Sequence, residues 1–256
     1  MHRLILGDCL EKMSEIPDRS VDMVLADLPY GTLNKSNKSS EWDVMLPLDK
    51  VWKEYKRVCK PNAAIVMFAQ GMFTADLMYS NKNWWRYNLI WDKGRPSGFL
   101  NANRMPLRSH EDICVFYEHL PVYNPQMVKC LPTERVHSRG NVKKVENQCY
   151  GEYKQFKARI MDEKYPRSIL RVNKEHRNGE NFHPTQKPVK LLEWLIRTYT
   201  NPGMMVLDNT CGSGSTGVAA AMTGREFTGI ELNGGYFEIA KQRIEAAEAI
   251  MEKRKN

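Results

Sequence analysis

Between Met205 and Met222 the chain runs from an apolar stretch, Met205-Val206-Leu207-Asp208, through Asn209-Thr210-Cys211-Gly212-Ser213-Gly214-Ser215-Thr216-Gly217, into a helical run from Val218 to Met222. A strand, a glycine turn and a helix in that order form the repeating unit of layered α/β folds. The glycines let backbone approach a ligand closely, and the helix start presents unpaired N–H groups and positive potential. Gly212, Gly214 and Gly217 fit the Gly-x-Gly-x-x-Gly spacing. The next strand closes with Gly229-Ile230-Glu231, about 23 residues after Asp208, where a carboxylate can accept hydrogen bonds from both ribose hydroxyls. The pair points to a nucleoside cofactor. Spacing alone does not separate a nicotinamide dinucleotide from S-adenosylmethionine.

The same rhythm recurs elsewhere. Apolar runs at Arg3 to Leu6, Val21 to Ala26, Ala63 to Phe68, Leu89 to Trp91, Ile113 to Tyr117, Met205 to Asp208 and Phe227 to Glu231 read as strands covered on both faces. Helical spacing marks Leu48 to Cys59, Pro188 to Tyr199 and Tyr236 to about Met251, the last with Ala240, Ile244, Ala247 and Met251 on one face. A mainly parallel sheet with helices on both faces follows, and 256 residues suffice for one such domain with an inserted lobe.

The lobe is expected between His119 and Phe182, where periodicity fades. Residues 119 to 180 hold 13 Lys/Arg against 7 Asp/Glu, most of the chain's net charge of +8. Tyr123, Tyr150, Tyr153, Phe156 and Tyr165 are interleaved with those charges. Such a segment suits a polyanion, because neutralised phosphates release counterions and aromatic rings stack on bases. Aromatics also build the core of a small lobe. Residues Gly31 to Asp43, rich in Asn, Ser and Lys, read as a mobile loop. The six cysteines lie far apart without the paired spacing of a zinc site, so no metal is expected. Free thiols, the lack of a signal peptide and of any long apolar run fit a cytosolic protein with no membrane contact.

Asp27-Leu28-Pro29-Tyr30-Gly31 follows directly on the apolar run Val21 to Ala26, at the carboxyl end of a central strand, where α/β sheets place their sites. A base amino group is a poor nucleophile because its lone pair is delocalised into the ring. The Asp27 carboxylate and the Leu28 carbonyl could accept its two hydrogens and aim that lone pair at an electrophilic methyl. Pro29 would stiffen the turn, and Tyr30 would offer a face to an extruded base. An ordinary turn uses the same residue types.

Together these residues resemble amino-group DNA methyltransferases of the beta class. Asp27 to Tyr30 resembles their Asp-Pro-Pro-Tyr motif, with Leu28 in place of the usual first proline but keeping the backbone carbonyl. Asp208 to Gly217 resembles their cofactor loop. His183-Pro184-Thr185-Gln186-Lys187-Pro188 resembles the segment that precedes that loop, and the order of the three motifs is that of the beta class. The resemblance implies a circularly permuted, Rossmann-like fold: a catalytic half at 1–118, a target-recognition lobe at 119–182 and a cofactor half at 183–256.

It implies that Asp27, Leu28, Pro29 and Tyr30 form the catalytic pocket. Asp208, Thr210, Gly212 and Gly214 would hold the methionine part of S-adenosylmethionine, and Glu231, with Leu232 beside it, the ribose. Asp8 would lie by the adenine, unless it caps the helix that follows. His183, Thr185 and Lys187 would line the same pocket together with Asp27. The substrate implied is adenine N6 in DNA. A homodimer, a cognate restriction endonuclease and a bacterial or phage-infected cytoplasm are compatible with the resemblance. Cytosine-N4 methylation is the nearest alternative, RNA or protein methylation a further one, and a catalytically silent DNA-binding module a third.

Overall fold

A run such as Val21-Asp22-Met23-Val24-Leu25-Ala26 can be apolar on both sides only if both sides are covered, and the computed structural model shows that covering. It describes residues 2–31, 43–130, 144–147, 151–154, 162–173 and 186–255, of which 144–147, 151–154 and 255 by backbone alone. In chain order the elements are β1 (His2–Leu6), α1 (Cys9–Lys12), β2 (Val21–Ala26), α2 (Leu48–Val58), β3 (Cys59–Ala69), α3 (Met72–Ser80), β4 (Trp85–Ser97) and β5 (Arg108–Phe116). There follow β6 (Val128–Lys129), β7 (Lys144–Asn147), β8 (Gly151–Lys154), β9 (Glu163–Lys164) and β10 (Ile169–Arg171). The chain closes with α4 (Val189–Tyr199), β11 (Met205–Asp208), α5 (Ser215–Met222), β12 (Glu226–Glu231) and α6 (Gly234–Lys255).

Eight strands form one sheet in the order β1-β12-β11-β2-β3-β5-β4-β10. The first five run parallel, β5 is antiparallel to both β3 and β4, and β10 pairs parallel with β4. Alternate side chains of each strand feed opposite cores. On one face Val24, Ala26, Ile65 and Met67 pack with Met13, Trp52, Tyr55, Phe73 and Leu77. On the other, Met23, Leu25, Val66 and Phe68 pack with Leu191, Leu195, Ile196, Ala220 and Ile244.

Two features depart from the sequence expectations. Helix α3 was not expected, because only Phe73 and Leu77 of it are buried while Met72 and Tyr79 stand exposed, leaving too thin a stripe to read. Strand β4 runs well past Leu89 to Trp91 and, with β5, ends in a hairpin at residues 98–107.

The chain divides into two compact units, one of Met1–Asn124 with Ser168–Asn256, the other Pro125–Arg167, which lies within the stretch expected to be a lobe. The first unit keeps Asn124, whose side-chain amide donates to the carbonyls of Arg197 at 3.1 Å and Thr200 at 3.0 Å. The second contains two small antiparallel pairs, β6 with β9 and β7 with β8. The loop expected at Gly31 to Asp43 falls mostly outside the described residues, as do His183 and Thr185. Cys9, Cys59, Cys114, Cys130 and Cys211 are free thiols. Among the described residues no helix is long and apolar enough to cross a membrane, and no group of His, Cys, Asp and Glu is arranged to hold a metal ion.

Candidate active site

Four neighbouring parallel strands, β1, β12, β11 and β2, each carry an acidic residue at or just beyond the carboxyl end: Asp8, Glu231, Asp208 and Asp27. Successive connections lead away from the β11–β2 boundary on either side, which makes it the switch point where open α/β sheets form their crevice. Asp208 and Asp27 flank that boundary.

Asp8 is exposed and caps α1, its carboxylate accepting from the Leu10 N–H at 2.8 Å, which is the capping role weighed for it above. Glu231 is buried, and its two carboxylate oxygens accept from the N–H groups of Gly212 and Asn233, each at 2.8 Å. Asp208 is buried as well; it accepts from the Thr210 N–H at 3.1 Å and the Thr216 hydroxyl at 2.6 Å. Burial pushes the Asp208 carboxyl up to about 7 against the pull of those two hydrogen bonds, and the charges of Asp27 and Glu231 add to the rise. Burial raises Glu231 too, with the backbone N–H groups opposing. Three carboxylates therefore lie across three adjacent strand ends, close enough for their charges to act on one another. Thr210 sends its hydroxyl to the Asp27 carbonyl at 3.2 Å, tying the β11 loop to the β2 turn. Leu232 is exposed.

Packing also constrains two of the glycines. A Cβ on Gly214 would lie 2.8 Å from the Ala240 Cβ, and one on Gly217 2.3 Å from the Ile244 Cδ1. Both residues thus admit α6 against α5. Gly212, at φ 52°, is the one whose N–H meets the Glu231 carboxylate.

Around Asp27 the side chains form a small polar array inside apolar walls. One carboxylate oxygen accepts from the Tyr30 hydroxyl at 2.7 Å, and the other from the buried Lys187 ammonium. Tyr30 stacks on Phe73 with ring centroids 4.9 Å apart at 25°. Its hydroxyl is pushed well above the usual range by burial and by the Asp27 and Glu111 charges, so it stays a donor. Leu28 fills the core with its side chain.

Lys187 lies 3.4 Å from Glu111 as well, and its ammonium sits over the Phe68 ring, 4.9 Å from the centroid. Burial alone would lower its pKa, but Asp27 and Glu111 together outweigh it and leave the group raised. Glu111 in turn pairs with Lys93, only 1% exposed, at 3.4 Å. Among the described residues Lys187 is thus held beside the catalytic candidate Asp27. Glu111 and Lys93 went unread in the sequence, although a signal existed. Each falls two residues from a buried apolar neighbour on its own strand, Ile113 and Trp91, so strand alternation points both inward.

Residues 21–242 match the N6/N4 methyltransferase family model, described as DNA methylase. The type II methyltransferase M.HinfI of Haemophilus influenzae is 28% identical over 272 residues, taking in 95% of this chain and 68% of that protein. The methylase YubD of Escherichia coli is 27% identical over 264 residues, with 98% and 94% covered. Among solved structures, the M1.HpyAVI–SAM complex superposes with a TM-score of 0.63 at 24% identity over 95% of this chain and 99% of that one. The PvuII DNA methyltransferase, described as cytosine-N4-specific, superposes at 0.68 with 17% identity over 98% and 92%. These two likenesses fix the fold as that of Rossmann-like methyltransferases.

Proposed function

The chain belongs to this family of DNA methylases, and on that premise we propose that it moves the methyl group of S-adenosylmethionine to N6 of an adenine flipped out of DNA, in a bacterial or phage-infected cytoplasm. The observation that carries the reading is Asp27 at the β11–β2 switch point, with a Tyr30 ring beside it and two further carboxylates, Asp208 and Glu231, on the next strands. The cofactor supplies a methyl on a sulfonium, a cationic centre with a cationic ammonium close by. The residues present fit such a group: Asp208, held near neutrality by burial, would ionise against a cation, and the Glu231 carboxylate has lone pairs left for a ribose diol.

Each Asp27 oxygen takes one donor, from Tyr30 or Lys187, and keeps a further lone pair to accept an amino hydrogen. The Thr210 bond to the Asp27 carbonyl fixes the turn that presents the Leu28 carbonyl for the second hydrogen. Phe73 covers one face of Tyr30, so a flipped base stacks on the other. The choice of adenine rests on Asp27, because cytosine-N4 enzymes of this group more often carry serine there. Methyl-labelled cofactor offered with duplex DNA, RNA and protein acceptors tests the reading. Label in DNA supports it; label only in RNA or protein, or none at all, contradicts it.

The hairpin between β4 and β5 supports DNA as the partner. Phe99 and Leu100 are 77% and 84% exposed, with Arg95, Arg104 and Arg108 around them and no acidic residue from Gly94 to His110. Apolar wedges set among arginines suit entry between base steps. Replacing Phe99 and Leu100 by alanine is expected to weaken duplex binding by roughly tenfold or more and to suppress the fluorescence rise of 2-aminopurine at the target position. Cofactor affinity should stay unchanged. Unaltered duplex binding would remove the hairpin from the interface.

A further inference from the structure

The charges behind Asp27 alternate in sign across four elements. Lys93 on β4 faces Glu111 on β5 at 3.4 Å, Glu111 faces Lys187 before α4 at 3.4 Å, and Lys187 donates to Asp27 after β2. Three of the four side chains are at most 12% exposed and Asp27 is 25% exposed, so the row is largely cut off from water. Among the described residues the row carries two positive and two negative charges. Taking charges out of water costs several kcal/mol per ion unless they are paired, so a row of this kind persists only when each member holds the next. Lys187 shares its ammonium between two carboxylates of unequal freedom: Glu111 is anchored on a strand inside the sheet, whereas Asp27 sits on a turn at the open edge.

Resting on the methyl-transfer reading, we propose that Glu111 is a positioning residue. As the second carboxylate beside the Lys187 ammonium, it keeps that ammonium charged and in place against Asp27, so that Asp27 stays oriented with a lone pair open toward the incoming amino group. Without Glu111, Lys187 keeps Asp27 as its one carboxylate partner among the described residues, and the charged donor that orients Asp27 is held less firmly. Among the described residues the groups acting on Lys187 are Asp27 and Tyr30 from β2 and its turn, Glu111 from β5, and Lys93 through Glu111 from β4. Asp208 acts on Asp27 from β11, and β3 offers only the Phe68 ring. With one carboxylate removed, less attraction opposes burial, and Lys187 loses its proton at lower pH than in the wild type.

Three variants of the full chain test this: Glu111→Gln, Glu111→Asp and the double variant Glu111→Gln with Lys93→Met. Melting curves and S-adenosylmethionine binding serve as controls of folding. Two readouts are taken. The first is the titration of the Lys187 side-chain methylene signal by NMR, assigned by its loss in Lys187→Met, which needs no turnover. The second is the pH profile of kcat for methyl transfer. Glu111→Gln is expected to lower the Lys187 titration by about one unit or more and to move the alkaline limb of kcat down with it. It should cut kcat roughly tenfold to a hundredfold at little change in KM for the cofactor. Glu111→Asp should give a smaller shift of the same sign, which keeps the test open should Glu111→Gln fail to fold.

The double variant restores charge balance without restoring the second carboxylate, so both the shifted limb and the low kcat should persist. Recovery of both in the double variant, or an unmoved Lys187 titration in Glu111→Gln, overturns the proposal. A moved titration in a protein whose wild type methylates nothing would uphold the hold on Lys187 while the methyl-transfer reading, and with it the positioning role, fails.

Discussion

Asp27→Ala is expected to lower methyl transfer by a factor of about a thousand or more while leaving S-adenosylmethionine affinity within a few-fold of wild type. Two losses combine. A hydrogen bond to a charged acceptor contributes about 1.5–3 kcal/mol, and an amino group left free to rotate costs up to roughly a hundredfold in orientation. The residues proposed to hold the cofactor are instead Asp208, Gly212 and Glu231, whose hydrogen bonds do not pass through the Asp27 side chain. Asp27→Asn keeps one acceptor oxygen and should retain more activity than the alanine variant. Single-turnover transfer and calorimetric cofactor binding are the checks, and an alanine variant with full activity would remove Asp27 from the chemistry.

Gly214→Ala is the second large effect, and it acts on the fold. Gly214 has φ 79°, a left-handed conformation that costs an L-residue about 1–2 kcal/mol. Its added Cβ would meet the Ala240 Cβ at 2.8 Å and Cα at 2.9 Å, atoms of a helix that cannot turn aside as a side-chain tip can. Overpacking of that kind costs about 1–3 kcal/mol. Together the two lower the melting temperature by roughly 5–15 °C. Cofactor binding weakens as well, since the loop carrying Gly212 must shift to relieve the clash. Gly224→Ala is the control: its φ of 72° imposes the same strain but nothing lies within 4 Å of the new Cβ. Its melting temperature should fall by only the strain share. Equal effects in the two variants would show that packing against α6 is not the constraint.

What could be read in advance was what the chain encodes locally. The runs Val21 to Ala26 and Met205 to Asp208 needed only their own apolar composition to become central strands, and the turns after them then had to lie at the carboxyl edge. The sharing of Lys187 between two carboxylates was not legible, because Asp27 and Lys187 are 160 residues apart and meet only through the sheet order. Nor could the sequence place β10 beside β4, a pairing that spans the whole second unit. The close approach of Gly214 to Ala240 was not legible either, because that alanine lies on a helix that starts after the following strand. Glu111 and Lys93 carried the alternation signal described above. A charged residue at an inward position of a strand reads as an exposed edge until its counter-ion is known, and each had its counter-ion on another element.

The most direct measurement of the central claim is mass spectrometry of nucleosides from duplex DNA incubated with the protein and isotopically labelled S-adenosylmethionine. Labelled N6-methyladenine, absent with Asp27→Ala, is the result predicted. Labelled N4-methylcytosine in its place would contradict the assignment of the base.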